Sequence, residues 1–223
     1  MSASGSGAAS RRPAEYGRAV VRRLAVRTLV ALVVLTLVPV VLVAALGLHS
    51  PAILAAEVTA IALMLGIDRV IGANLDRRER GNRAEIDVGA ILDGMAQGGW
   101  LALHDVNTGR GNIDHVAIGP GGLFTVETKS RAGRVSAADL DPTWLRQAYA
   151  QRKHVEELIG QQADCLLVLS KAFLDRAPTR QRGVLVLPAR MLAGHLKRRK
   201  ATLSADQVHA VHRRLVEALD ASV

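Results

Sequence analysis

The chain changes character sharply at Thr28. From Thr28 to Leu48 run 21 uncharged, almost wholly apolar residues. As a helix at ~1.5 Å per residue they reach ~32 Å, about the hydrocarbon thickness of a bilayer. A compact turn, Gly47-Leu48-His49-Ser50-Pro51, leads into a second apolar stretch from Ala52 to Ile67, which Pro51 and Val70-Ile71 can extend. The two stretches predict a transmembrane helical hairpin with spans at 28–48 and 51–71. A signal peptide is the rival reading of the first, but its apolar core would be unusually long and a second apolar stretch follows at once.

Beyond residue 80 the pattern becomes that of one soluble domain with its own core. Asn82 to Met95 reads as a helix with Ile86, Ile91, Leu92 and Met95 as apolar positions and Gly98-Gly99 beyond its end. Trp100–Val106, Asn112–Ile118 and Leu123–Thr128 read as strands, the first two joined by an Asn107–Gly111 turn and the last two flanking Gly119-Pro120-Gly121-Gly122. Asp141-Pro142 opens a helix with an N-cap acid and a proline at its first position. Trp144, Leu145, Ala148, Val155, Leu158 and Ile159 share one face of it. Cys165–Leu169 and Val184–Leu187 suit buried strands, and helical patterns return at Ala189–Arg199 and Ser204–Leu219. Helix, three strands, helix, two strands and closing helices predict an α/β fold with a mixed sheet flanked by helices.

Charge sharpens the division. Residues 1–27 carry six arginines and one acid, while residues 28–67 hold no Lys or Arg and the single acid Glu57. Arginines precede the first stretch and follow the second (Arg69, Arg77, Arg78, Arg80, Arg83), so both termini are expected on the cytoplasmic side. Glu57 is the lone acid of the second span; a hydrated or protonated acid near a span end is the favoured reading over a functional one. The organisation is then a basic, partly disordered N-terminus over 1–27, two spans within 28–71, and a soluble domain over 80–223. A single cysteine excludes a disulfide scaffold. The scarcity of Trp, Tyr and Phe argues against a base-stacking platform for single-stranded nucleic acid. The Ala- and Arg-rich, Lys-poor composition points to a bacterial source.

The candidate chemistry lies in Gly111-Asn112-Ile113-Asp114-His115 and Glu127-Thr128-Lys129. With Pro120-Gly121 as the turn centre, paired residues sum to 241 and Asp114 falls opposite Glu127. Directly opposed side chains start about 5 Å apart, so both carboxylates could grip one cation. Period-two alternation puts Glu127 and Lys129 on the same face. Hard oxygen ligands suit Mg²⁺, which binds one or two carboxylates together with a phosphate. An unrelated surface Asp beside a solvated Glu and Lys accounts for the same residues about equally well.

The run from Gly111 through Lys129 resembles the core of the nuclease-related domain family, a member of the restriction-endonuclease-like, PD-(D/E)xK group. The resemblance covers residues 80–170 well and the remainder weakly. It implies a metal aspartate at Asp114, a Glu-x-Lys element at Glu127 and Lys129, an acid on the first helix at Glu85 after Gly81, and a glutamine on the following helix at Gln147. Ala84 and Thr128 depart from the family pattern without removing a metal ligand. It further implies Mg²⁺- or Mn²⁺-dependent phosphodiester cleavage, with Asp114, Glu127 and Glu85 on the metal. Asn82-Arg83-Ala84-Glu85 also matches a capping box, which would give Glu85 a purely local role.

Other residues invite plainer readings. His115 alternates away from Asp114 and suits a structural role. His209 and His212 lack a partner for zinc, and Cys165 suits a small core residue. Lys197-Arg198-Arg199-Lys200 could meet nucleic acid, lipid or solvent. The expected protein is a membrane-anchored, multi-pass nuclease with its domain in the cytoplasm. Its partners would be nucleic acid, DNA favoured over RNA, and the lipid bilayer through residues 28–71. The alternatives are a non-catalytic binding module of the same fold and a small membrane subunit working through Glu57.

Overall fold

The computed structural model describes residues 51–109 and 111–221, with scattered positions between Val26 and Ala44. The N-terminus over 1–25 and most of the first expected span, 28–48, lie outside the described residues. The chain divides into two compact units, Met1–Arg80 and Gly81–Val223.

Helix α1 (Pro51–Asp93) starts on a proline, as a first helical position favours, and runs for 43 residues. The expected break between a second span ending at Ile71 and a new helix at Asn82 does not occur. The segment contains no further proline, and its glycines are isolated, so nothing interrupts the helical hydrogen bonds. Among the described residues, no helix is long and apolar enough to cross a membrane. Val58, Leu63, Ile67 and Val70 on α1 are exposed.

The second unit is an α/β fold with a six-stranded mixed sheet flanked by helices. Its strands are β1 (Leu101–Asn107), β2 (Asn112–Gly119), β3 (Gly122–Val135), β4 (Asp164–Leu174), β5 (Thr179–Gln181) and β6 (Val184–Pro188), ordered β1-β2-β3-β4-β6-β5. β3, β4 and β6 are parallel neighbours; the other pairs are antiparallel. Helix α2 (Pro142–Ile159) connects β3 to β4, with Asp141 capping its start as expected. Helices α3 (Ala189–Lys197) and α4 (Ala205–Asp220) close the chain.

Two apolar layers cover the sheet. On one face, Val88, Leu92 and Met95 from the end of α1 and its following turn meet Phe124, Val126, Leu166 and Val168, together with Leu192 and Leu196 of α3. On the other, α2 and α4 contribute Val155, Ile159, Val208, Val211 and Leu215 against Val116, Ile118 and Leu123. The α2 end of that face adds Leu145 and Ala148 against Cys165, Leu167 and Leu169. The buried stripe of α1 is thus Ala84, Val88 and Leu92, continued by Met95 in the following turn, while Ile86, an expected core position, is 48% exposed. A step of four from Ala84 fits the helical period better than a stripe begun at Ile86.

The strand pattern differs from expectation at the sheet's far side. β5 is a three-residue edge strand paired to β6, too short to leave a hydrophobic alternation in the sequence. β3 and β4 both run further than their apolar cores. They continue side by side as Ala132–Val135 and Lys171–Leu174 after a register shift between Lys129 and Ala132.

Candidate functional site

The β2–β3 hairpin turns on Pro120-Gly121 with Gly119 paired to Gly122, and its partners sum to 241 as far as His115↔Val126. The next pair on that count, Asp114 and Glu127, marks the end of the ladder. Asp114 Oδ2 there accepts the Thr128 N–H at 2.6 Å, so a side chain takes a strand's place as acceptor. The ladder to β1 lapses at the same level, passing from His104↔His115 to Val106↔Ile113. Asp105, the residue opposite Asp114 on β1, has φ +53°, in the left-handed region that an aspartate tolerates better than most side chains. Its carboxylate accepts from the Asn112 side chain. Asp114 therefore sits where the pairing on both of its flanks gives way.

Glu127 is almost fully buried, and both its oxygens are used. Oε1 accepts from Lys129 Nζ at 2.5 Å and Oε2 from Gln151 Nε2 at 2.5 Å. Gln151 Nε2 also donates to the Asn112 carbonyl at 3.1 Å, so one amide ties β3 to β2 across the gap where they separate. Two acceptors around Nε2 settle which end of that amide is which. Lys129 Nζ in turn donates to Gln147 Oε1 at 3.1 Å. The structure thus joins Glu127, Lys129 and Gln147 in one hydrogen-bonded group, with Asp114 and Glu85 coupled to it through charge. Burial, reinforced by the Glu127 charge, pushes the Asp114 carboxyl up to about 8, despite the Thr128 N–H that favours its anion. Glu85 is also raised, by burial first and then by Glu127 and Asp105. The site carries more negative charge than Lys129 alone offsets.

The helix settles the local reading of Glu85. α1 runs unbroken through Asn82–Glu85, so no N-terminus exists there for a capping box to serve. Among the described residues, no group of three or more His, Cys, Asp or Glu side chains is placed to hold a metal ion together. A divalent cation would rest on Asp114 and Glu127, a donor set that suits Mg²⁺, with Glu85 acting on the pair at longer range. Beside this group, a cleft of about 440 Å³ opens between the β1–β2 turn and α2, lined by Thr108, Asn112, Gln147, Gln151 and His154 among others.

His115 faces the other side of the sheet, as expected. Its Nδ1 lies 2.8 Å from His104 Nδ1, and His104 Nε2 lies 3.0 Å from Asp93 Oδ1. Burial, and then the neighbouring His104, holds the buried His115 ring down near 4, so it is a neutral core residue. Cys165 is buried among apolar side chains, and burial pushes its thiol up, away from nucleophilic use. The basic run at the end of α3 is divided. All four side chains are exposed, but Arg199 also pairs with Asp164 at 2.5 Å and lies 5.6 Å from the Phe124 ring centre.

A family model described as the nuclease-related domain matches residues 80–188. Those residues are a nuclease-related domain. The matched stretch holds Glu85, Asp114, Glu127, Lys129, Gln147 and Gln151, and the family's name implies a nucleic-acid partner. The mixed sheet is consistent with the restriction-endonuclease-like group. No curated protein and no solved structure matches the chain. Two members of the site escape a reading of the sequence. Gln151 lies four residues after Gln147, one helical turn on, and that spacing was the available signal. Asp105 left none, because a left-handed residue inside an apolar strand has no signature in residue type alone.

Proposed function

We propose that the nuclease-related domain hydrolyses phosphodiester bonds of nucleic acid with Mg²⁺, for which Mn²⁺ can substitute, while the N-terminal hairpin tethers it to the cell membrane on the cytoplasmic side. The observation that carries the catalytic reading is the junction itself. Two carboxylates stand where the β2–β3 ladder ends, one held up near 8 by burial and the other's charge, with a lysine hydrogen-bonded between Glu127 and Gln147. Two anions crowded in a half-closed site call for a cation, and a metal ion is the species that lets both ionise. Asp114 and Glu127 would hold it. When bound, it supplies Lewis-acid polarisation of a phosphoryl oxygen.

The remaining steps belong to the chain. Gln151 holds Glu127 Oε2 and fixes the carboxylate's plane. Gln147 steadies the Lys129 ammonium, which is placed to offset charge as it builds on the phosphate oxygens. Glu85, its carboxyl raised, is suited to hold or pass a proton at the edge of the group. The membrane reading is supported by the 21-residue apolar run, by arginines on both outer flanks and by the exposed apolar side chains of α1.

The test uses the full chain in detergent with linear and circular DNA and with RNA. Cleavage should require Mg²⁺ or Mn²⁺ and stop in chelator. Asp114→Asn and Glu127→Gln should weaken metal binding and abolish turnover. Lys129→Met should keep or tighten metal binding while the rate falls at least about a hundredfold. If all three variants cleave like the parent, the activity is not this protein's and a binding module of the same fold is the better reading.

A further inference from the structure

Beyond the site, β3 and β4 continue as a pair, and their side chains change in kind. Residues 129–135 hold Lys129, Arg131 and Arg134 with no acid, and residues 170–174 hold Lys171 with none. After the register shift, Arg134 pairs with Phe173 and Ala132 with Lys171. Paired residues of parallel strands share a face, and period-two alternation puts Lys171 and Phe173 on the same one. The opposite face of this stretch is closed, because Ala172 and Leu174 are buried against the α2 side.

Phe173 is 61% exposed. One exposed apolar residue is ordinary by itself. This one has company: the Arg190 guanidinium lies 4.5 Å from its ring centre and is held there by a bond from Nη1 to the Ala172 carbonyl at 3.0 Å. Arg134 lies alongside on the neighbouring strand. The nearest acid in the chain, Asp175, is engaged by Ser136 Oγ and by the N–H groups of Ala137 and Arg176. An open aromatic face set among three cations, with no unengaged carboxylate beside it in the sequence, has the make-up of a single-strand seat, where a base stacks and phosphates meet the charges.

We propose that the β3–β4 extension binds a single strand of nucleic acid, with Phe173 stacking one base and Arg134, Lys171 and Arg190 meeting its phosphates. Glu127 and Lys129 face α2 whereas the seat lies on the opposite face of the sheet, so the seat is a nucleic-acid contact apart from the carboxylates and does not rest on the phosphodiesterase reading. The scarcity of aromatics weighs against a row of stacked bases, but one position needs only one ring.

The experiment measures binding of the full chain in detergent to a labelled oligothymidylate 12-mer in chelator, across 50–200 mM salt, and separately measures turnover of bis(p-nitrophenyl) phosphate with Mn²⁺. That diester is too small to span from the site to the seat. Phe173→Ala should weaken oligonucleotide binding on the order of tenfold, with the salt dependence unchanged and Phe173→Trp restoring it. Arg134→Ala with Lys171→Ala should flatten the slope of log affinity against log salt by about 1.4, at ~0.7 per contact. Diester turnover should be unchanged in all of them. Parental binding in these variants overturns the seat whatever the diester shows, as does an equal Phe173-dependent affinity for polyglutamate, which would assign the surface to an acidic protein. Loss of binding in the variants together with no diester turnover in the parent would uphold the seat and remove the nuclease reading instead.

Discussion

Asp114→Asn should stabilise the second unit at neutral pH and at the same time end its response to Mg²⁺. The parent carboxyl stands near 8 in the fold against an ordinary value of 3.8. Between those values the native state keeps a proton that the unfolded chain has released. The native state thus binds more protons, and stability falls as pH rises from about 4 to about 8. At 1.36 kcal/mol per unit the ceiling on this loss is about 5.7 kcal/mol. Water reaching a partly open carboxyl brings the realised effect to about 2–4 kcal/mol. Asparagine cannot ionise, has nearly the same shape and still offers an oxygen to the Thr128 N–H, so it escapes the loss. Both tryptophans, Trp100 and Trp144, belong to Gly81–Val223, so urea unfolding followed by tryptophan fluorescence reports that unit within the full chain. In chelator the parent should lose stability from pH 5 to pH 8 while the variant stays nearly level. Mg²⁺ at ten times its dissociation constant should return about 1.4 kcal/mol to the parent and nothing to the variant. Equal stability at pH 8 with parallel pH curves would refute the argument, and with it the crowding of Asp114 by Glu127.

Gly119→Ala should be among the most damaging small substitutions in the domain. A Cβ at that position would lie 2.2 Å from the Trp100 ring, whose fused-ring carbons cover the glycine, so the indole must leave its place beside Phe124. A loss on the order of 3 kcal/mol in urea unfolding is expected, with a change in Trp100 emission; a loss below about 0.5 kcal/mol would contradict the contact. For topology, a reporter fused after Val223 should behave as cytoplasmic and one inserted at His49 as external. An external C-terminus would remove the tethering arrangement.

Much of the site was legible because its geometry is local. A two-residue turn at Pro120-Gly121 determines which residues of β2 and β3 face each other, and four residues of alternation carry that register to Asp114 and Glu127. What the sequence hid was the manner of their meeting. No pattern of residue types announces that both ladders lapse at Asp114, since the cause is one left-handed Asp105 and a carboxylate standing in for a backbone acceptor. The long helix was misdivided for a different reason. Asn82-Arg83-Ala84-Glu85 has the residues of a cap, but a cap forms only where a helix begins, and the polar stretch between Ile71 and Asn82 simply stays helical. The three-residue β5 exists through its pairing with β6 and has no periodicity to read.

The lacing of the α3–α4 linker onto the hairpin turn bears on how such domains are inherited. Thr202 and Leu203 both donate to the Pro120 carbonyl, Arg199 bridges to Asp164, and Leu192 and Leu196 complete the layer over Phe124. Leu192, Leu196, Arg199, Thr202 and Leu203 all lie after Pro188, where the family match stops, and their partners lie before it. Recognisable ancestry and structural self-sufficiency therefore end at different residues. The stretch after Pro188 is free to diverge in sequence only while it goes on supplying a lid of the same shape. A gene fusion that joined a new module at that boundary would pass on the site residues without the roof that packs over their hairpin.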